Sequence, residues 1–223
     1  MDYQFQWNVI WQNWRLFVEG IWLTIQITAV ATVLGLVIGM SMAGLQLLKN
    51  RVINSIIQAY IEVIRNTPFL VQLFFVYFGL PTLGIKLEAY QAALIALTIN
   101  IGAYATEIVR AGIESISKGQ IEAGRSLGLS GFQIFLYIIL KPAIMTVYPA
   151  LTSQFILIML NTAVISVISV QELAYQAKYL QSRTFRNFEI YFFVTFLYLI
   201  LAYAFRFSFG LIGKVAFGKA RIN

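Results

Sequence analysis

The feature that most constrains this chain is its runs without charge, the first of which extends from residue 20 to residue 48. A helix crosses the roughly 30 Å hydrocarbon core of a bilayer in about 20 apolar residues. Water cannot serve the backbone in that slab, so every N–H and C=O must be bonded within the protein, which a helix does locally. The composition agrees: 60% of the 223 residues are hydrophobic and 11% charged, with a mean hydropathy of +0.78. A soluble domain carries about twice that charged fraction and must cover much solvated surface. The chain is therefore expected to be all-α and polytopic, with lipid as its solvent.

Five spans are expected in one transmembrane domain over residues 1–223, near 20–48, 52–80, 88–112, 132–160 and 188–212. The second is interrupted by Glu62, Arg65, Asn66 and Pro68. Pro68 biases Thr67 away from helix, so residues 52–65 read as an approach and 68–80 as the span proper. Pro142 and Pro149 predict a kinked fourth span. The run 163–170 is too short to cross and reads as re-entrant or interfacial, followed by a polar stretch over 171–189. Residues 1–17 are rich in Trp and Gln and lack the short apolar core of a signal peptide.

Basic residues near the junctions set orientation. With the N-terminus outside and the C-terminus inside, the inner segments hold Lys49 and Arg51; Arg110, Lys118, Arg125 and Lys141; and Lys214, Lys219 and Arg221. The outer segments hold fewer: Arg15, Lys86, Lys178, Arg183 and Arg186, with Arg65 and Arg206 left within or beside spans. Trp7, Trp11, Trp14 and Trp22 gather at the N-terminal edge, where an aromatic belt sits. The net charge of +7 is scattered between apolar runs, which suits anionic lipid and argues against nucleic acid.

The chain has no Cys and no His, which removes thiolate nucleophiles, Cys-ligated zinc and the commonest general base and metal ligand. Two enzyme-like patterns fail on chemistry. Residues 124–128 fit G-x-S-x-G, but no His exists to take the proton from Ser126. Residues 213–219 spell G-x-x-x-x-G-K, followed by Ala220 where a Ser or Thr would hold magnesium. No catalytic or metal-binding residue is expected. Gly35 and Gly39 form a G-x-x-x-G that permits close helix approach, within the chain or at a subunit interface.

The most informative stretch lies between the third and fourth spans, with a loop at 117–130 on the cytoplasmic side by the charge count. Gly119 and Gly128 punctuate a short helix with Glu122 in its first turn, where a carboxylate suits the helix dipole. So short a helix needs a docking partner. Here the sequence resembles the permease subunits of bacterial ATP-binding-cassette importers, specifically the branch for polar amino acids. The family's E-A-A-x-x-x-G is met by Glu122-Ala123-Gly124-Arg125-Ser126-Leu127-Gly128, with Gly124 replacing the second Ala, which should weaken the helix. Its apolar-Leu-Pro step is approximated by Leu140-Lys141-Pro142. Arg65-Asn66-Thr67-Pro68-Phe69-Leu70-Val71-Gln72-Leu73 is similar to R-x-T-P-x-L-V-Q-L, and Gly102, Ala103, Tyr104, Glu107 and Arg110 to G-A-Y-x-x-E-x-x-R. Ser117-Lys118-Gly119-Gln120 is similar to P-x-G-Q, and residues 160–168 match L-K-x-T-S-L-x-S-V-I more loosely.

The resemblance implies a type I importer permease: five spans and a cytoplasmic coupling helix, in a multi-pass protein of the bacterial inner membrane. Gly119, Glu122, Ala123, Arg125 and Gly128 would contact the ATPase. It implies partners in two ATP-binding-cassette subunits, a second permease subunit identical or related to this one, and an external solute-binding protein that delivers an amino acid. ATP and magnesium would be bound by the ATPase, leaving this chain without a cofactor of its own. Polar residues inside spans are functional candidates. Asn100, Tyr104 and Glu107 share one face of the third span, Gln154 and Asn161 one face of the fourth, and Gln26 interrupts the first. Gln26, Asn100, Tyr104, Gln154 and Asn161 are thus candidates for a substrate path, against the alternative that Asn100 and Gln154 simply bond neighbouring helices. Glu107 and Arg110 are spaced to pair. The rival functions are a self-sufficient secondary transporter or channel, which should show internal repeats and ion-coupling carboxylates, and a membrane scaffold.

Overall fold

The computed structural model describes residues 4–218; Lys219, Ala220 and Arg221 lie outside them. The described residues form helices and connecting turns without strands: α1 (Asn8–Gln12), α2 (Trp14–Gln46), α3 (Arg51–Arg65), α4 (Phe69–Thr82), α5 (Ala89–Glu114), α6 (Lys118–Ser126), α7 (Gly131–Ile168), α8 (Leu173–Thr184) and α9 (Asn187–Phe217). Helices α2, α5, α7 and α9 are each long and apolar enough to cross a membrane, and α3 with α4 counts as a fifth span if the bent pair is taken together.

α5 is the hub. Its residues Ala92, Ala96, Leu97 and Ile101 are buried against Ile27 and Ala31 of α2, Leu73 and Val76 of α4, and Phe155 and Ile158 of α7. The closest approach is between α2 and α5. An added Cβ at Gly35 would lie 2.5 Å from Ile101 Cγ2, and one at Gly39 would lie 2.5 Å from Ala105 Cβ and 2.9 Å from the Ala105 carbonyl carbon. The G-x-x-x-G pair thus packs two helices of the same chain. Lipid supplies no hydrophobic drive between helices, so such contact is won by dispersion, and small residues bring the backbones close enough for it. Farther along α5, Gly112 receives Val147 of α7 in the same way.

The second span is broken at Pro68, as the sequence reading expects, with α3 and α4 meeting at 109°. Two departures from that reading have physical reasons. Run 163–170 is not a separate re-entrant piece, because α7 continues unbroken to Ile165 and tightens into a 3₁₀ turn over Ser166–Ile168. The polar stretch after it contains a full helix, α8, whose apolar positions Leu173, Ala177 and Leu180 are buried on α2, α7 and α9. Its four- and three-residue spacing was present in the sequence, but the polar residues between hid it. Pro142 and Pro149 fall in α7, where helical turns of π type over Ile134–Leu140 precede the first.

Glu172 starts α8 and is fully buried. Its carboxylate caps the helix by accepting from the backbone N–H of Tyr175 at 2.8 Å, and it accepts from the Tyr198 hydroxyl of α9 at 2.7 Å. The next residue ties the same corner to α2: Leu173 N–H donates to Thr24 Oγ1 at 3.3 Å. Where α2 passes this corner, a Cβ on Gly20 would sit 2.8 Å from Leu173 Cα. Burial pushes the Glu172 carboxyl above its ordinary value of 4.5, against the opposing pull of the Tyr198 hydroxyl and two backbone N–H groups.

Two outcomes are expected. Gly39→Ala destabilises by about 1–3 kcal/mol, the range of an overpacked core, whereas Gly44→Ala, which meets nothing within 4 Å, is neutral or stabilising; thermal unfolding in detergent separates the two. Because the folded Glu172 carboxyl is raised above its unfolded value, its contribution to stability is complete below pH 4.5 and is lost as pH rises through the raised value. Glu172→Gln should flatten that part of a melting-temperature-against-pH profile.

Candidate functional site

The elbow between α3 and α4 is where polar chemistry enters the bundle. Pro68 has no N–H, so the carbonyl of Ile64 loses the partner four residues on. The Gln72 side chain replaces it: its Nε2 donates to Ile64 O at 2.7 Å and reaches Thr67 Oγ1 at 2.9 Å and Thr67 O at 3.1 Å. Its Oε1 accepts from Asn100 Nδ2 of α5 at 2.9 Å. One amide therefore caps the broken helix and fastens the elbow to the hub. Asn100 here bonds a neighbouring helix, the alternative weighed against a substrate contact.

Arg65, the last residue of α3, lies over the Tyr104 ring with its guanidinium carbon 5.4 Å from the centroid and 3.8 Å from Glu107 Oε1 by its Nη1. Glu107 also accepts from Arg110, at 2.6 Å from Nη2 and 3.1 Å from Nε. Arg110 Nη1 donates to both oxygens of Glu114 at 2.7 Å. A string of alternating charge thus runs down the C-terminal half of α5, tied to α3 by the long contact at Arg65. Bidentate pairs at helical spacing are firm local braces, whereas the 3.8 Å contact is loose enough to open.

The outer surface of α3 explains why these charges can lie beside apolar spans. Arg51, Ser55, Gln58, Glu62 and Arg65 recur at intervals of three and four and are exposed, while Ile57 and Ile61 are buried on α5. A charged stripe at this depth is tolerated where it faces water and not hydrocarbon. A cleft of about 850 Å³ opens beside it, lined by Lys49, Arg51, Asn54, Gln58, Glu62 and Arg110 among others. A smaller one of about 280 Å³ joins Glu62, Arg65, Asn66 and Tyr104.

The remaining candidates for the path are not gathered there. Gln26 is exposed on α2, and Gln154 and Asn161 are half-buried on α7. No hydrogen bond among the described residues links them to Asn100 or Tyr104. The sequence reading also passed over Gln72. Its signal was its place four residues after a proline in an apolar run, where the orphaned carbonyl asks for a donor.

The loop at 117–130 holds α6. It starts at Lys118, one residue before Gly119, so Glu122 falls beyond the first turn. Glu122, Ala123, Arg125 and Gly119 are exposed, and so is Gly128, which takes φ +75° as the helix ends. The N–H of Leu129 bonds Gly124 O at 3.1 Å and that of Gly128 bonds Arg125 O at 2.9 Å, the paired Schellman closure that needs a left-handed residue. Gly124 is the buried residue of α6, and a side chain there would run into Ile138 and Ile134 of α7. The glycine that looked like a weakness for the helix permits its close seat on α7. Ser126 spends its hydroxyl on the Glu122 carbonyl at 3.1 Å. Leu127 and Phe132 stand out beside it, 80% and 74% exposed.

Comparison with known proteins meets this geometry. Residues 35–215 match the family described as binding-protein-dependent transport system inner membrane component. The probable glutamine ABC transporter permease protein GlnM of Bacillus subtilis (strain 168) is 37% identical over 194 residues, covering 87% of this chain and 90% of that protein. The glutamine transport system permease protein GlnP of Escherichia coli (strain K12) is 37% identical over 200 residues, 89% of this chain and 91% of that one. Among solved structures, an amino acid ABC transporter with histidines superposes with a TM-score of 0.89 at 35% identity, covering 95% of this chain and 99% of the other. The inward-facing MetNI methionine ABC transporter shares the fold, with a TM-score of 0.76 at 24% identity over 90% and 95% of the two chains. These likenesses support an importer subunit over a self-sufficient transporter or channel. With the matched residues spanning most of its length, the chain belongs to the inner-membrane components of binding-protein-dependent transport systems, as a permease subunit of an ATP-binding-cassette importer.

Proposed function

We propose that this chain forms half of the translocation path for a polar amino acid of the glutamine class, with the other half supplied by an identical or related permease. The substrate arrives from an external binding protein, and two separate ATPase subunits hydrolyse ATP. Catalysis and the binding of ATP and magnesium fall to those separate subunits in this reading, which the relatives named as permease proteins support. The relatives named as glutamine permeases support the substrate class.

The observation that carries the coupling role is the seat of α6. Buried Gly124 presses the helix onto α7, and Glu122, Ala123 and Arg125 are left exposed on it. A nine-residue helix is marginal alone, so a surface held out this way suits insertion into a groove of the ATPase. Closure of that groove would push α6 against α7 as a unit and shift the inner ends of the spans. The loose Arg65–Glu107 contact is where α3 would part from α5 during alternation between outward and inward access. Spans near 20–48, 52–80, 88–112, 132–160 and 188–212 would place the N-terminus outside and α6 in the cytoplasm.

Two measurements test this. Purified with its ATPase and binding protein into proteoliposomes, the wild-type complex should import L-glutamine, and Glu122→Ala should lower uptake about tenfold or more, equal to about 1.4 kcal/mol of lost coupling. If ATPase association and uptake stay intact in Glu122→Ala, the coupling assignment fails. Since the chain has no Cys, Leu127→Cys should react with an impermeant maleimide only from the cytoplasmic side. Labelling from outside reverses the orientation.

A further inference from the structure

Arg206 is the one charged residue in the run 190–212 of α9, and it is exposed. No hydrogen bond or ion pair joins it, or Lys214, to any described residue. A guanidinium within a span is costly unless it faces water or a polar partner, and residues of that kind mark substrate or ion pathways. Arg206, Gly210 and Lys214 follow one another at four-residue spacing on one face. A Cβ on Gly210 would meet nothing within 4 Å, so the two long cationic side chains have open space between them.

That space is a chamber of about 490 Å³ between α7 and α9, whose other walls include Tyr148, Pro149, Thr152 and Ser153. No acidic residue lines it. The hydroxyl protons on these walls are already used: Tyr148 donates to Phe209 O at 2.6 Å, Thr152 to Tyr148 O at 2.9 Å and Ser153 to Pro149 O at 3.1 Å. Their oxygens are left with lone pairs and act as acceptors. The chamber therefore has free N–H donors on the α9 side and free acceptors on the α7 side. A bare phosphate would use only the first set, whereas a head group bearing both an anion and an ammonium uses both.

We propose that this chamber is a station for the zwitterionic head group of the transported amino acid, the carboxylate held by Arg206 and Lys214 and the ammonium by the hydroxyl oxygens of Thr152 and Ser153. The inference rests on the amino acid reading above and places its intramembrane contact on α7 and α9, at residues apart from the Asn100 and Tyr104 face of α5. The same chemistry occurs in a phosphatidylethanolamine head group, and the test separates the two sources.

The permease–ATPase complex, without binding protein, is placed in nanodiscs and titrated with radiolabelled L-glutamine. Saturable binding is expected, weakened about tenfold or more by Arg206→Gln and restored to within a few-fold by Arg206→Lys, with Ser153→Ala intermediate. The amide of the α-carboxyl group should fail to compete. Size-exclusion profiles confirm that each variant remains assembled. Equal L-glutamine affinity in assembled wild type and Arg206→Gln overturns the proposal. So does wild-type binding that the carboxamide displaces equally well. Retained phosphatidylethanolamine that L-glutamine does not displace, lost in Arg206→Gln, assigns the chamber to lipid. Failure of the whole complex to import L-glutamine with its binding protein would instead strike the substrate reading itself. Import by wild type and Arg206→Gln alike leaves that reading standing and removes only the station.

Discussion

Everything in this molecule rests on the contact of α2 with α5, where Gly35 and Gly39 accept Ile101 and Ala105 at distances no side chain would allow. In water two amphipathic helices would be driven together by their apolar faces. In lipid the surroundings are as apolar as the interface, so association needs close, extended dispersion contact. That requirement puts small residues at the crossing, makes α5 the most enclosed helix, and lets α4 and α7 pack around it. The charged string on the C-terminal half of α5 continues from the residues held at this crossing.

The second organising constraint is that no backbone group can be abandoned in the bilayer. Pro68 leaves the Ile64 carbonyl without its helical donor, and the break survives because Gln72 supplies the missing one. The same amide reaches Asn100, so the elbow and the hub move together. At the opposite corner Glu172 does comparable work, capping α8 while bonding α9. Both are polar groups inside an apolar protein, and both join elements far apart in sequence.

The fold class could be read from residue order alone, and so could the short helix between the third and fourth long spans. Charge-free runs of sufficient length admit one backbone solution, and the spaced motifs around Glu122, Arg65 and Glu107 marked the family. Other features were hidden. Gly124 looks like a helix-weakening substitution until Ile138 is seen against it, since helix propensity is local and close approach is not. The spacing of Glu107 and Arg110 announced a pair, but the reach of Arg65 from another helix depends on the 109° elbow. Helix α8 escaped because it buries Leu173, Ala177 and Leu180 between polar neighbours, a pattern weaker than a span.

By itself, then, the order of residues determined that this chain is helical, lipid-embedded and without His or Cys, because those properties follow from composition and from periodicities of a few residues. It also marked the loop at 117–130, for which the coupling role is proposed. The tertiary structure alone decided which polar residues meet. It brought Gln72 to Asn100, Tyr198 to Glu172, and the hydroxyls of α7 opposite Arg206 and Lys214. Those meetings join positions tens of residues apart, and they depend on crossing angles set by small-residue packing, which no local pattern encodes.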